Sequence, residues 1–292
     1  MTILQHLIDG LSVGAVYAII ALGYTMVYGI AKMLNFAHGD VIMVGGYSAF
    51  VVMNGANLPS LVGILIAVCV CVLLGIAIEA LAYRPLRGAP SLAVLITAIG
   101  VSYLLQNSAQ QIWGSEPKIF KSVVSIKPIV LFDKITITGE ALVTLLAAAI
   151  IMVGLWFFTS KTRTGKAMRA VAEDRDAAQL MGINVNRTIA ITFAIGSALA
   201  AVAGVLYCST IPRLLPTTGS MPGIKAFTAA VLGGVGSIPG AMLGGILLGI
   251  IETFSKAYIS TQFSDAIVFA VLILILLFKP SGLLGKTVQE KV

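Results

Sequence analysis

The sequence predicts an all-α protein: a polytopic transmembrane helical bundle of 8–9 spans, some of them short or broken. Two observations lead to this prediction. Of the 292 residues, 58% are hydrophobic and only 11% are charged, which is too little charge to cover the surface of a water-soluble domain. Several uncharged runs also reach about 18–20 residues, the length of a helix that crosses the hydrocarbon core of a bilayer. Helices are favoured over strands because a helix satisfies its own backbone hydrogen bonds in lipid.

Nine apolar segments are candidates for the spans. They cover residues 10–30, 39–54, 61–83, 91–112, 139–158, 188–208, 222–235, 238–257 and 264–278. Because the second and seventh segments are short, both eight and nine spans remain open. Nine spans place the two chain ends on opposite sides of the membrane, and eight place them on the same side. All of these segments belong to a single transmembrane domain, 1–292.

Positive charge predicts the orientation of the spans. Arginine and lysine concentrate in the turn 84–90, in the long loop 159–187 and in the tail after residue 278. Since such residues stay on the cytoplasmic side, we expect all three segments, and the C-terminus, inside. This distribution explains the net charge of +7 better than a nucleic-acid-binding surface does.

The segment 113–138 is expected outside, where it is too short to form a domain. Its β-branched residues alternate around Pro128 and a predicted turn at Asp133–Lys134. This pattern is typical of a small β-hairpin.

A cytoplasmic helix is predicted within the loop 159–187. Apolar residues recur with helical spacing from Gly165 to Met181, Thr162 or Thr164 can cap the start, and Gly182 follows the end. One face contains Ala167, Ala170, Val171, Ala177, Ala178 and Met181, with Asp174 intruding. Small side chains on one face suit docking into a partner's groove. The alternative is a helix that rests on its own bundle or on the lipid surface.

Glycine-rich sequence in the second half of the chain predicts close helix packing. Gly236, Gly240 and Gly244 form a small-xxx-small ladder, and Gly245 and Gly249 form another such pair. An alternative interpretation is that Gly236, Ser237, Pro239 and Gly240 interrupt a membrane helix and expose backbone groups toward a translocation path.

Catalytic function is disfavoured, and we expect no catalytic residues and no metal ligands. The chain has two histidines, His6 and His38, and neither lies in a nucleophile motif. The patterns GxSxG, HExxH and the phosphate-binding GxxxxGK[ST] do not occur. If ATP drives this protein, another chain binds it.

Several motifs identify the chain as similar to a transporter family. DAAQLMG, residues 176–182, resembles the EAA-xxx-G element of ABC importer permeases, with Asp176 in place of Glu and without the following Ile-x-Leu-Pro. Four longer stretches resemble, in the same order, branched-chain amino acid permeases. They are GLSVGAVYAIIALGYTMVYGIAKMLNFAHGD (10–40), GKAMRAVAEDRDAAQLMGINVNR (165–187), GGVGSIPGAMLGGILLGIIE (233–252) and FKPSGLLG (278–285). The resemblance is to the shorter of the two permease subunits of that uptake system.

This resemblance implies transport of leucine, isoleucine and valine by alternating access across a bacterial inner membrane. It implies a heterodimer with a homologous longer permease subunit, surrounded by lipid. It also implies two cytoplasmic ATPase subunits that hold ATP and its Mg²⁺, and a periplasmic amino-acid-binding protein that meets the periplasmic segment 113–138. No cofactor and no nucleic acid are expected on this chain.

The loop 159–187 becomes a cytoplasmic coupling loop in this interpretation. The residues expected to contact an ATPase are Gly165, Arg169, Glu173, Asp174, Asp176, Ala177, Ala178, Met181 and Gly182. Two rival functions remain. One is the same machine carrying urea, short amides or other amino acids, and the other is a channel or carrier that works without an ATPase.

The polar stretch NFAHGD, residues 35–40, lies between two apolar spans and has two interpretations. It is either an inner loop, in which Gly39 turns the chain and Asp40 caps the next helix, or a helix break inside the membrane. The shortness of the span 39–54 favours the break. Asn35, Phe36, His38, Gly39 and Asp40 would then lie on the translocation path, with His38 as a polar hinge residue.

Overall fold

The computed structural model describes residues 2–131 and 135–285, and most of them are helical. The helices are α1 (Thr2–Ala31), α2 (His38–Phe50), α3 (Ser60–Ile78), α4 (Ser91–Trp113), α5 (Gly139–Lys161), α6 (Arg163–Glu173), α7 (Arg175–Leu180), α8 (Val185–Thr210), α9 (Ser220–Gly233), α10 (Ile238–Tyr258) and α11 (Ser264–Phe278). Wider π-helical turns extend α2 through Val51–Gly55 and α3 through Glu79–Tyr83, followed by a 3₁₀ turn at Arg84–Leu86. Six helical segments are long and apolar enough to span a membrane. The predicted all-α transmembrane bundle is confirmed.

Four short strands complete the described part of the chain: β1 (Lys118–Ile119), β2 (Ile129–Leu131), β3 (Ile135–Ile137) and β4 (Arg213–Leu214). β2 and β3 pair antiparallel, with Ile129 opposite Ile137, so the predicted hairpin is confirmed. Its turn at Asp133–Lys134 lies outside the described residues, as do Lys286 and Lys291 of the basic tail. A second antiparallel pair, β1 with β4, was not predicted, because its two partners are far apart in sequence.

The bundle has two opposite faces, which its contacts define. On the face that we call the basic face, Arg175 of α7 donates to the carbonyl oxygen of Ala31 at the end of α1. Arg87, between α3 and α4, bonds Asn186 at the start of α8 on the same face. On the hairpin face, the side chain of Gln5 near the start of α1 bonds the backbone of Thr136 in β3 at 2.9 and 3.0 Å.

The two ends of the described chain lie on opposite faces. α1 starts at the hairpin face, whereas Leu283 and Leu284 donate backbone hydrogen bonds to Leu232 and Gly233 at the end of α9. The turn after α9 reaches the basic face, because Gly236 packs against Gly29 near the end of α1. This arrangement matches nine membrane helices among the described residues, of which α2, α9 and α11 are too short to cross alone.

The N-terminus of α2 lies inside the bundle. His38 packs against Gly23 of α1 and Gly196 of α8. Gly23 lies about two turns before the end of α1, and Gly196 about three turns after the start of α8, or roughly 12 and 16 Å from the basic face. Residues 32–37 are not helical and return the chain from that face into the bundle. His38 therefore lies between membrane helices, which favours the interpretation of NFAHGD as a break within the bundle over the inner-loop interpretation.

The N-termini of the two short helices meet. α2 has 13 residues and α9 has 14, and a Cβ atom added to Gly39 would lie 2.7 Å from the carbonyl oxygen of Gly219. The same close approach brings Gly223 of α9 against Gly39. Gly39 has a helical backbone, so the expectation that it turns the chain is wrong. Glycine is required there because another backbone touches it.

The two halves of the bundle repeat with opposite direction. In α1–α4 a long helix from the hairpin face is followed by a break, a short helix and two further helices, and α8–α11 repeat this order from the basic face. The packing within the two halves corresponds. The contact of α1 with α10 matches the contact of α8 with α3, and the contact of α1 with α9 matches the contact of α8 with α2. Inverted repeats with broken helices are common in transporters, with the substrate site at the repeat interface.

Glycine contacts bring the long helices together. A Cβ on Gly249 would lie 2.2 Å from the Cα of Gly14 in α1, and a Cβ on Gly245 would lie 2.4 Å from the Cα of Ala18. Gly240 and Gly244 face the backbone of α9. The predicted ladder is wrong for Gly236, because this residue precedes α10 and has a φ of +90°, a conformation outside the helix.

Candidate translocation cavity and coupling surface

A cavity of about 330 Å³ lies between α2, α4 and α9. It is lined by Phe36, Asp40, Leu95, Ile99, Ser102, Tyr103, Gln106, Ser220 and Ile224. Its volume is within the range of roughly 300–1,000 Å³ that is usual for small-molecule sites. Ile99, Tyr103 and Ile224 are exposed, so the cavity opens sideways onto the surface of the bundle.

Asp40 is the charged residue of this cavity. Its side chain lies in the first turn of α2 and is 1% exposed. Nε2 of Gln106 donates to Oδ1 of Asp40 at 2.9 Å and lies 3.2 Å from both Oγ of Ser102 and Oγ of Ser220. Within residues 2–131 and 135–285, Asp40 forms no ion pair. The positive end of the α2 dipole favours a carboxylate at this position.

The expectation that Asp40 caps α2 is wrong. The N-cap position is Ala37, and no side chain accepts a capping hydrogen bond there. The carboxylate points instead to Gln106 on α4. Its role is therefore in the cavity and not in the start of the helix.

Three residues before Asp40 lie in or beside the cavity wall. Asn35 Oδ1 accepts a hydrogen bond from the Tyr83 hydroxyl at 3.0 Å. His38 is 1% exposed, packs edge-on against Tyr24, and its Nε2 has no hydrogen-bond partner in the described part of the chain. The Phe36 ring lines the cavity and lies 5.5 Å from the ring of Phe227. The histidine thus packs between helices, away from the cavity lining.

The second predicted break forms the turn between α9 and α10. Oγ of Ser237 accepts a hydrogen bond from the Gly240 N–H at 3.2 Å and caps α10, and Pro239 occupies its first turn. Gly236 borders a separate cavity of about 140 Å³ beside α5 and α6. These residues lie near the basic face and do not line the cavity of Asp40. That substrate passes them stays a prediction.

The coupling loop contains two helices where a single one was predicted. Thr162 caps α6 by accepting from the Gly165 N–H at 3.0 Å. Asp174 has an extended backbone, ends α6, and caps α7 by accepting from the N–H groups of Asp176 and Ala177 at 2.9 and 3.0 Å. An aspartate offers free backbone N–H groups a partner outside the helix ladder, so the chain breaks here.

α6 and α7 present different surfaces. Gly165, Met168 and Val171 of α6 are buried against the bundle, so α6 rests on its own protein. A continuous docking face from 165 to 181 is therefore wrong. α7 buries Ala178 but exposes Ala177, while Leu180 is 89% and Met181 is 82% exposed. The exposed apolar surface is formed by Ala177, Leu180 and Met181, and we call it the α7 surface.

Arg169, Glu173, Asp176 and Gly182 are the remaining predicted coupling residues. Gly182 follows the α7 surface with a φ of +82°, as expected for a C′ glycine. Arg169 donates to the Ser160 carbonyl at 3.2 Å, and Glu173 and Asp176 are exposed. All of them lie on the basic face.

Arg175 joins α7 to the rest of the bundle through its bond to the Ala31 carbonyl. It lines a cavity of about 350 Å³ together with Lys32 and Arg87. Burial and, second, the charge of Arg87 lower the pKa of Arg175, although a guanidinium stays charged at neutral pH. Lys32 is the first residue after α1, so Arg175 contacts the point from which the chain returns toward Asp40.

A family model described as the permease component of the branched-chain amino acid transport system matches residues 6–276. The chain belongs to this permease family. The high-affinity branched-chain amino acid transport system permease protein BraD of Pseudomonas aeruginosa is 45% identical over 99% of this chain and 98% of its own length. The permease protein LivH of Escherichia coli K12, named for the same high-affinity system, is 44% identical over 99% of this chain and 97% of its own length.

Among solved structures, PsaBC from Streptococcus pneumoniae in complex with Fab matches with a TM-score of 0.50 and 16% identity, covering 96% of this chain and 93% of that chain. At that identity the match concerns the fold alone. The fold and the family of this permease were both predicted from its sequence.

Sequence reasoning missed four functional candidates of the permease. Ser102 and Gln106 lie four residues apart on α4 and thus on one helix face, which is a readable signal in an apolar span. Ser220 carries no such signal, because its position depends on the meeting of α9 with α2. Leu180 was missed because it lies outside the face calculated for one continuous helix.

Buried charges near the hairpin face form a network of ion pairs. Lys225 is buried, and its Nζ lies 2.8 Å from Glu252 and 2.7 Å from Asp265. Glu252 also accepts from the hydroxyl of Tyr17 at 2.9 Å. These contacts tie α1, α9, α10 and α11 together, and the Glu252 carboxylate is fully engaged.

Proposed function

We propose that this chain is the membrane-spanning subunit of an ATP-driven importer that moves leucine, isoleucine and valine into the cell by alternating access. The observation that carries the proposal is identity of 44–45% over nearly the whole chain to permeases named for high-affinity branched-chain amino acid transport. The break at NFAHGD and the cavity beside it supply a site of suitable size near the repeat interface.

The partner that completes the cavity is a homologous, longer permease subunit. The cavity lacks a wall on the side where Tyr103 and Ile224 are exposed. α4 carries further apolar side chains that point outward, including Leu92, Ile96 and Leu104, each more than 60% exposed. A second permease packed against α4 and α9 would close the cavity and place the path between the two subunits.

The basic face is the cytoplasmic face in this proposal, and Gly285, the last described residue, lies there beside Gly234 at the end of α9. Two ATPase subunits, which bind ATP and Mg²⁺, dock on this face, one of them on the α7 surface. The hairpin face is periplasmic and receives the amino-acid-binding protein. Support comes from the arginine-rich turns on the first face and the apolar exposure of Leu180 and Met181.

The test is uptake by reconstituted complexes. Proteoliposomes would contain this chain, the longer permease and both ATPases, with binding protein outside and labelled leucine, isoleucine, valine or urea. We expect ATP-dependent uptake of the three amino acids and none of urea. Uptake that continues without any ATPase would overturn the importer assignment, and urea uptake without leucine uptake would overturn the substrate.

A further inference from the structure

The cavity between α2, α4 and α9 contains a buried carboxyl group, that of Asp40, which forms no ion pair within the described residues. Asp40 is buried, and it accepts a hydrogen bond from the neutral amide of Gln106, whose Nε2 also lies 3.2 Å from the hydroxyl oxygens of Ser102 and Ser220. Transfer of a carboxylate out of water costs much free energy unless a cation or several hydrogen bonds compensate. An ionisable side chain at such a place in a membrane bundle usually marks a pathway.

Other buried acids of the chain differ from Asp40 in this respect. Glu79 is fully buried and bonds both Arg84 and Arg87. Glu252 bonds Lys225 and Lys256. Each has its cations within the protein, whereas Asp40 faces an open cavity. We therefore expect the cation that pairs with Asp40 to be part of a molecule bound in the cavity.

We propose that Asp40 receives the α-ammonium group of the transported amino acid, with the apolar side chain of the cargo against Phe36, Leu95, Ile99 and Ile224. This inference rests on the proposed function and names the group that recognises its substrate. Gln106 is a positioning residue, because its amide holds Asp40 and the two serines around one point. A hydrogen bond between Asp40 and neutral amides or hydroxyls leaves the carboxylate free to accept one more charged donor.

The polar groups of the cavity also explain why the amino acid can leave. Ser220 opens α9, whose N-terminus carries a partial positive charge, and it stands across from Asp40. A zwitterion fits between a carboxylate and a positive helix end, while urea and short amides lack the cation. Part of the Asp40 charge is already shared with Gln106, so the ammonium is held without a full buried ion pair.

The first test compares two isosteric substitutions in the reconstituted complex. Asp40→Asn keeps the oxygen that accepts from Gln106 but removes the charge. Asp9→Asn is the matched control, because Asp9 also accepts from a glutamine, Gln5, at 2.9 Å but lies outside the cavity. Loss of one charged hydrogen bond predicts roughly tenfold or greater loss of leucine uptake for D40N. ATP hydrolysis stimulated by loaded binding protein should change less than about twofold, since α7 is untouched.

The outcomes separate this inference from the proposed function. If wild-type complex carries no leucine, the proposed function fails. If wild type carries leucine and D40N carries it within about twofold of wild type and of D9N, the role of Asp40 is wrong. Asp40→Glu, which keeps the charge, should retain more uptake than D40N.

A second measurement keeps native Asp40, so it does not depend on how D40N folds. In Ser102→Cys combined with Cys69→Ser, which removes the exposed native thiol, a thiol-specific reagent would modify the cavity, and protection by added ligands would be compared. Leucine and isopentylamine should slow the modification, while 4-methylpentanoate, which has the same carbon skeleton without the amine, should not. Equal protection by 4-methylpentanoate and leucine, or no protection by either amine, overturns the proposal.

Discussion

At the scale of single residues, two kinds of position shape this permease: glycines where backbones touch, and polar side chains placed by distant helices. The glycine positions were partly readable, because small residues four apart predict close helix packing in lipid. Gly245 and Gly249 indeed pack against Ala18 and Gly14 of α1. Which helix they meet could not be read, since spacing describes one helix and not its partner.

Gly249→Val tests the contact between α1 and α10. A Cβ at this position would lie 2.2 Å from both N and Cα of Gly14, so the helices must separate. Overpacking of this kind costs about 1–3 kcal/mol or more, and we expect a lower unfolding temperature of the purified chain in detergent. The control is Gly154→Ala on α5, where no atom lies within 4 Å and stability should not fall. Equal stability of the two variants would contradict the packing.

For the polar residue Asp40, the sequence predicted a place on the path but not the side chain that it contacts. Asp40 was predicted on a path, but its partner Gln106 is 66 residues away in the chain and no local pattern joins them. The expectation of an Asp40 cap used only neighbours in sequence. In the fold, the Asp40 carboxylate accepts from Gln106 of α4, and the backbone N–H groups of His38 and Asp40 bond the carbonyl oxygens of Asn35 and Ala37.

At the scale of elements, the break between α6 and α7 separates a helix that packs on the bundle from a helix that exposes an apolar surface. α6 buries its apolar side on the bundle, while α7 projects the α7 surface beyond it. Helix was predicted correctly on both sides of Asp174, but the single apolar face was wrong, because Ala178 is buried while Ala177 and Met181 are exposed. Asp174, where the helix breaks, had already interrupted the predicted face. An intruding aspartate in an apolar face is thus readable as a helix boundary with its own cap.

Asp174→Ala tests this boundary. Removal of the carboxylate leaves the N–H groups of Asp176 and Ala177 without their capping acceptor, at a cost of about 1 kcal/mol. We expect faster hydrogen exchange in residues 176–178, with exchange in α6 unchanged. Asp174→Asn keeps an accepting oxygen and should exchange like wild type. If the alanine variant also does so, the cap does not hold α7.

Ala177→Arg tests the α7 surface as the ATPase contact. Ala177 is exposed beside Leu180 and Met181, so arginine fits the isolated permease but obstructs a close-packed groove. We expect loss of ATPase co-purification in detergent, with normal amounts of the permease pair. Ser115→Arg adds the same charge on the hairpin side and should leave the ATPases bound. Intact co-purification of Ala177→Arg would place the ATPase contact elsewhere.

At the scale of the whole molecule, the fold class followed from composition and hydropathy, because lipid leaves few ways to satisfy a backbone. The inverted arrangement of α1–α4 and α8–α11 did not follow, since it appears in the mirrored packing of α10 on α1 and α3 on α8. The contact of Gly39 with Gly219 joins the two halves, because Gly39 lies in α2 and Gly219 directly precedes α9. For that reason the depth of NFAHGD remained open until the tertiary contacts were known.

The two sites of the permease are connected by one short route. Arg175 at the start of α7 bonds the Ala31 carbonyl, the next residue begins the non-helical return, and that return ends at α2 and Asp40. Movement of α7 by an ATPase would therefore displace the end of α1 and the segment 32–37. A rigid α6, anchored by the contact of Gly165 with Phe158 and Thr159, would act as the pivot.

Arg175→Ala tests this route. The variant keeps Asp174, and with it the α7 cap, so ATPase binding and ATP hydrolysis should stay close to wild type. Without the bond to Ala31, movement of α7 reaches the cavity less well, and we expect several-fold less leucine carried per ATP hydrolysed, in line with coupling free energies of roughly 1–3 kcal/mol. Arg187→Ala, an exposed arginine at the start of α8, is the control and should keep the wild-type ratio. A wild-type ratio of uptake to hydrolysis in Arg175→Ala would show that α7 acts on the cavity by another route, such as the contacts of α6 with α1 and α8.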